Sequence, residues 1–255
     1  MPMTSMRGSG SAWPNLTVWH LNSLVVVVIV GGVAVLIARW RFVQFRERRT
    51  VAIGIASLAL LLASDIQTLA MTSYRCHMIE HIVIVTLVAP IFAASVHWPL
   101  SKSTATLGFL AFTLVVPLYH VTRLGGLVMS HSYGHVLELA TFLVIGIWFW
   151  APVYGARQMM SPLMRTCYVA LAVPIIVTTG LVLWSSSRSY LESVNMNMAG
   201  ITISDIHEGG LVMMLLGTVT MLGHVMGLAI LALRQSLRSQ EPLGRLVRVQ
   251  TVARP

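Results

Sequence analysis

Seven apolar stretches joined by short polar connections constrain this chain more than any other feature. A helix needs about 20 apolar residues to cross the hydrocarbon core of a bilayer. The sequence offers such stretches at roughly 16–38, 51–72, 76–96, 104–121, 133–155, 167–186 and 205–233. No connection is long enough to hold a soluble domain, and no internal repeat or low-complexity linker is evident. The sequence therefore predicts an all-α, polytopic membrane protein. It has an N-terminal tail (1–15), one domain of seven transmembrane helices (16–233) and a basic C-terminal tail (234–255). Composition agrees: 10% of the 255 residues are charged, against about 25% in a soluble domain. The beginning does not read as a cleaved secretory leader, because the apolar run Leu24–Ile37 ends in the basic segment Arg39–Arg49 without a small-residue cleavage site.

The basic residues set the orientation. With the N-terminus outside, 13 Lys/Arg fall on the cytoplasmic side and 4 (Arg7, Arg75, Arg123 and Arg188) on the outer side. Cytoplasmic loops carry such an excess, so the N-terminus is expected outside and the C-terminus in the cytoplasm. The net charge of +9 thus describes topology and contact with the lipid bilayer. It does not form the accessible basic face that nucleic acid would need, so no nucleic acid is expected as a partner. The tail from Arg234 reads as an anchor facing anionic lipid. Two cysteines, Cys76 and Cys167, exclude a disulfide scaffold and a thiolate metal cluster.

Titratable residues inside membrane spans are costly and are functional candidates by default. Here they gather at one depth. The third span begins Cys76-His77-Met78-Ile79-Glu80-His81, the fifth His131-Ser132-Tyr133-Gly134-His135 with Glu138 following, and the seventh Asp205-Ile206-His207-Glu208. All three run inward from the outer face in the expected topology. Asp65 lies near the outer end of the second span, His20 and His120 lie at the same level, and only His97 and His224 fall outside it. His77 and His81 are four apart and share a helix face with Glu80 beside them. His131, His135 and Glu138 make a second stripe if the helix already includes His131.

Two imidazoles four apart can hold one metal, and neighbouring carboxylates can ligate it or fix the ring tautomers. The metal candidates are His77, His81, His131, His135, Asp205, His207 and Glu208, supported by Glu80, Glu138, Asp65, Met196 and Met198. A single interfacial histidine is more simply a hydrogen-bonding or headgroup residue, which is the reading for His20, His97, His120 and His224. Imidazole suits zinc, copper, iron and nickel, and thioether shifts the choice toward Cu(I). The loop Asn195-Met196-Asn197-Met198 favours copper, with zinc as the alternative. Two other readings stay open. His77-x-x-Glu80-His81 matches an inverted zinc-protease pattern, which would make the chain an intramembrane zinc-dependent hydrolase with Glu80 as base. Facing histidines on two helices would also suit a b-type haem.

Three segments in this order resemble the caa3-type cytochrome c oxidase assembly factor family (CtaG-like), a bacterial seven-span membrane family. They are His77-Met78-Ile79-Glu80-His81-Ile82-Val83 followed by Ala89-Pro90; His131-x-x-x-His135-x-x-Glu138 leading to Phe142 and Trp150-x-Pro152; and Asp205 leading to Gly209-Gly210-Leu211-Val212-Met213. Glu80 stands where the family usually has Gln, one proline (Pro90) where two are common, and Ile206-His207-Glu208 where a Gln-containing stretch follows the Asp. The resemblance implies a bacterial plasma-membrane protein that is not an enzyme. It would mature the oxidase by supplying or positioning copper, with oxidase subunits or other copper chaperones as partners.

Overall fold

A computed structural model describes residues 45–95, 101–131, 133–155, 160–193 and 201–252, with Val27, Val30 and Gly31. The described residues form helices and no strand. The expected first span, the N-terminal tail, His20, His97, Met196 and Met198 lie outside the described residues, those three isolated positions apart.

The expected second span is two helices, α1 (Phe45–Ala63) and α2 (Asp65–Ala70). They part at Ser64, whose backbone is extended (φ −77°, ψ 162°). Its hydroxyl donates to the Leu61 carbonyl at 2.6 Å, a local bond that competes with the helix ladder. Asp65 then opens α2, where an acid suits the positive helix end.

Among the described residues, five helical rods are long and apolar enough to cross a membrane: Tyr74–Ser95, Ser103–Val121, Gly134–Tyr154, Pro162–Ser185 and Ile203–Arg238. The first consists of α3 (Tyr74–Val83), a π-helical stretch (Ile84–Val88) and α4 (Ala89–Ser95). The others belong to α5 (Lys102–Val121), α7 (Gly134–Tyr154), α8 (Pro162–Ser185) and α10 (Ile203–Val252), with short α6 (Arg123–Met129) and α9 (Arg188–Ser193) between. Ser101 starts α5 with a capping box, its hydroxyl accepting from the Thr104 N–H at 3.1 Å. Ser161 caps α8 ahead of Pro162, where a missing N–H costs nothing. Leu114, Leu171, Leu215, Val219 and Met226 point away from the bundle, as lipid-facing side chains do.

The π-helical stretch has a sequence cause. The Ala89 N–H bonds back to Ile84, which leaves the Val85 carbonyl without its usual partner. A regular ladder would pair the Thr86 carbonyl with the N–H of residue 90, which is proline and has none. Both orphans are filled from other helices. Trp150 Nε1–H donates to Val85 at 2.7 Å, and His224 Nε2–H donates to Thr86 at 2.8 Å. Ala89-Pro90 and Trp150 therefore belong to one packing solution that fixes α7 and α10 against the third-span rod.

Gly209-Gly210 seats α10 between two neighbours. A Cβ on Gly209 would lie 2.5 Å from the Tyr74 ring, and one on Gly210 would lie 2.6 Å from the Trp184 nitrogen and 2.7 Å from the Gly180 oxygen. Only hydrogen allows both backbones to approach so closely, as at other small-residue helix crossings in membranes.

Candidate metal centre

The third-span rod is built around its polar first turns. The i, i+4 spacing in α3 puts His77 and His81 on one face, with Glu80 beside them. From α7, His135 and Glu138 meet that face, and His120 enters from the last turn of α5. All six side chains are buried, Glu80 at 0% exposure and Glu138 at 2%. His77 Nε2 lies 3.4 Å and His81 Nε2 3.8 Å from Glu138 Oε2. His135 Nε2 lies 2.8 Å from Glu80 Oε2. Two donor triads result, His77–His81–Glu138 and His77–Glu80–His135, each with ligand atoms within 4.8 Å of one another. Two ligands about 2.0 Å from a tetrahedral ion stand about 3.3 Å apart, so the spacing around Glu138 Oε2 suits a shared ion.

Hydrogen bonds set the tautomers of this group. His120 Nδ1 lies 2.7 Å from the Val116 carbonyl. A carbonyl only accepts, so this nitrogen carries the proton. In the neutral ring, His120 Nε2 is then a lone pair and accepts from His81 Nδ1–H at 3.2 Å. His81 Nε2 is left bare and faces a carboxylate oxygen that is also an acceptor. Neither atom has a hydrogen-bond partner, and the same holds for His77 Nδ1 and Glu80 Oε1. Four unpaired buried atoms in one cluster are exceptional in a native fold, where nearly all such groups are paired. A cation between His81 Nε2 and Glu138 Oε2 converts a repulsive pair of acceptors into ligands. Phe142 packs on the His81 ring at 4.4 Å between centroids and holds its orientation.

The structure gathers His77, His81 and His135 of the residues marked as metal candidates, adds their supports Glu80 and Glu138, and leaves the others elsewhere. His131 is exposed, because α7 begins only at Gly134 and the chain turns before it, with the Gly134 N–H bonded to the His131 carbonyl at 2.9 Å. The stripe that needed a helical His131 does not form. Asp205 caps α3 from outside that helix. Its carboxylate accepts from the Tyr74 backbone N–H and from the Ser73 hydroxyl at 3.2 Å, and it pairs with Arg75 at 3.4 Å. Half-exposed Glu208 pairs with Arg75 at 2.7 Å. His207 donates to the Ser186 carbonyl at 2.8 Å. Asp65 begins α2 and joins neither triad. His224 bridges the Thr86 carbonyl and the Tyr154 hydroxyl.

His120 is the member that motif reasoning passed over. It has no histidine or acid at helical spacing on its own helix, and its only signal was a depth shared with the other outer histidines. The donor set is nitrogen and oxygen in both triads. A general base at Glu80 would need access to water, whereas its carboxylate is fully buried and held by His135. A haem would need a slot between facing imidazoles. Here the His77 ring packs 4.3 Å from His81 and 5.6 Å from His135, and the adjoining apolar cavity beside His81 and His120 is about 30 Å³.

Comparison with known proteins places the chain. Neither the curated proteins nor the solved structures contain a match. The family described as cytochrome c oxidase caa3 assembly factor (Caa3_CtaG) matches residues 94–235. That stretch is more than half of the chain. It runs from the end of α4 into α10 and takes in His120, His135 and Glu138, while the α3 residues His77, Glu80 and His81 lie before it. The chain belongs to the cytochrome c oxidase caa3 assembly factor family.

Proposed function

We propose that this protein serves cytochrome c oxidase assembly by binding copper in the His77–His81–Glu138 group and releasing it to an oxidase subunit or another copper chaperone. The observation that carries the reading is the facing pair His81 Nε2 and Glu138 Oε2. They lie 3.8 Å apart, buried, both acceptors and both without a hydrogen-bond partner. His77 Nε2 approaches the same oxygen and completes a three-atom donor set. His120 holds His81 in the tautomer that offers Nε2, and Glu80 holds His135 at the second triad.

The place is the outer half of a bacterial plasma membrane. Seven spans with the N-terminus outside and the basic C-terminal tail in the cytoplasm put α3 and α7 with their donor-bearing ends outward. The chain's role is to hold and hand over an ion, not to turn over a substrate. Its copper is cargo: imidazoles and one carboxylate bind it, and partner ligands at the outer face take it.

The test is a strain lacking this protein, complemented with wild type or with His77→Ala/His81→Ala. The proposal expects the variant chain to accumulate in the membrane while the oxidase lacks copper and activity. Normal oxidase copper content with the double variant overturns it.

A further inference from the structure

We infer that the buried cluster selects a doubly charged cation over Cu(I), so that copper enters it as Cu(II) and Zn(II) and Co(II) compete for the same place. The inference rests on the metal-binding reading above and adds the charge and hardness of the ion.

Glu80 and Glu138 are two of the most buried polar side chains in the protein, and both belong to triads that share His77. Among the described residues their ion contacts are to histidines alone. Arg75, five residues before Glu80 on α3, pairs with Asp205 at 3.4 Å and with Glu208 at 2.7 Å. A carboxylate buried without a counter-charge is strongly disfavoured. One Cu(I) balances one of the two carboxylates and leaves the other to a histidine proton alone, as Glu80 is left to His135. One dication balances both.

Both triads offer imidazole nitrogen and carboxylate oxygen. Sulfur ligands select Cu(I), whereas carboxylate suits harder ions. The sulfur-bearing neighbours of His77 in the chain, Cys76 and Met78, point about 100° to either side of it around the helix. Cys76 joins neither triad, and Met78 lines the apolar cavity together with Met213, His81 and His120.

Geometry gives the two carboxylates different parts. Glu138 Oε2 is the atom on which His77 and His81 converge. Glu80 accepts from His135 at 2.8 Å, the arrangement in which a carboxylate orients a metal-binding ring. In the first triad's ion site, Glu138 is a ligand and Glu80 the nearby counter-charge.

The experiment uses the full-length protein, purified in detergent and stripped of metal. Cu(I) affinity is measured anaerobically against a competing chelator, Zn(II) against a chromophoric chelator, and Co(II) by its visible absorption. The expected result is one Zn(II) or Co(II) per chain, with Zn(II) resisting displacement by an equimolar amount of Cu(I). Glu80→Gln, which keeps the acceptor for His135 and removes the charge, is expected to weaken Zn(II) and Co(II) binding about 10–100-fold while Cu(I) affinity stays unchanged or rises. Equal losses for Zn(II) and Cu(I), or a wild type that takes Cu(I) and neither dication, overturns the inference and leaves the proposed function standing. A wild type that binds none of these ions overturns both. The wild-type competition decides the matter even if the variant fails to fold.

Discussion

Replacing His224 by leucine should expose the cost of Pro90, and restoring an N–H at position 90 should remove it. His224 Nε2–H is the partner of the Thr86 carbonyl, which a regular helix would have given to residue 90. Losing that donor leaves a buried carbonyl unsatisfied, a cost of about 1–3 kcal/mol. The substitution also strips the Tyr154 hydroxyl of its acceptor at 2.8 Å, so the comparison belongs in a Tyr154→Phe background. Alanine at position 90 supplies the missing N–H. With His224 present it changes little, because the Thr86 carbonyl is already paired. Combined with His224→Leu it restores the pairing, and the two changes should couple favourably by about 1–2 kcal/mol, within the range for residues that share one partner. The assay is a double-mutant cycle on reversible unfolding in mixed micelles, where 1.4 kcal/mol is about a tenfold change in the equilibrium constant. Changes that add to within about 0.5 kcal/mol, as unconnected sites do, would refute the account of the π-helical stretch.

Further outcomes follow from the same contacts. His120→Leu should weaken metal binding about 10–100-fold by freeing His81 to place its proton on Nε2. His120→Gln, whose amide oxygen can accept from His81 Nδ1–H, should recover most of that loss, as read by chelator competition. Gly210→Ala puts a methyl 2.6 Å from the Trp184 nitrogen and should destabilise the bundle by about 1–3 kcal/mol, the usual range for overpacking, measurable as a lower midpoint in detergent. Asp205→Ala removes the cap of α3 and should cost about 1.5–3 kcal/mol for hydrogen bonds to a charged acceptor. The purified variant should still bind metal, and a loss of metal with unchanged stability would return Asp205 to the ligand set.

The residues that the sequence made legible are those whose partners lie on their own helix. His77, Glu80 and His81 sit within five positions of one apolar helix, so their common face follows from helical geometry alone. His135 and Glu138 follow in the same way. His131 depends on a boundary: the stripe requires a helix by residue 131, and the turn before Gly134 leaves it outside the helix. Asp205 depends on its partner. Its residue type and depth make it a metal candidate, but the acid is used to cap another helix, a bond between residues more than a hundred positions apart that no local pattern encodes. His120 was illegible for the converse reason, since its meaning lies in His81 and the Val116 carbonyl. The break at Ser64 hid inside a run of leucine and alanine that reads as one span. The Gly209-Gly210 pair was visible as a motif, but its reason, two neighbouring backbones at contact distance, required the fold.

The central claim is that His77, His81 and Glu138 bind the metal. X-ray absorption spectroscopy on the purified full-length protein loaded with one equivalent of copper or zinc addresses it most directly. The account predicts nitrogen and oxygen neighbours at about 2.0 Å, with the more distant scattering of at least two imidazole rings, lost in His77→Ala/His81→Ala. Sulfur at about 2.3 Å, or an imidazole signal unchanged by the double substitution, would contradict it.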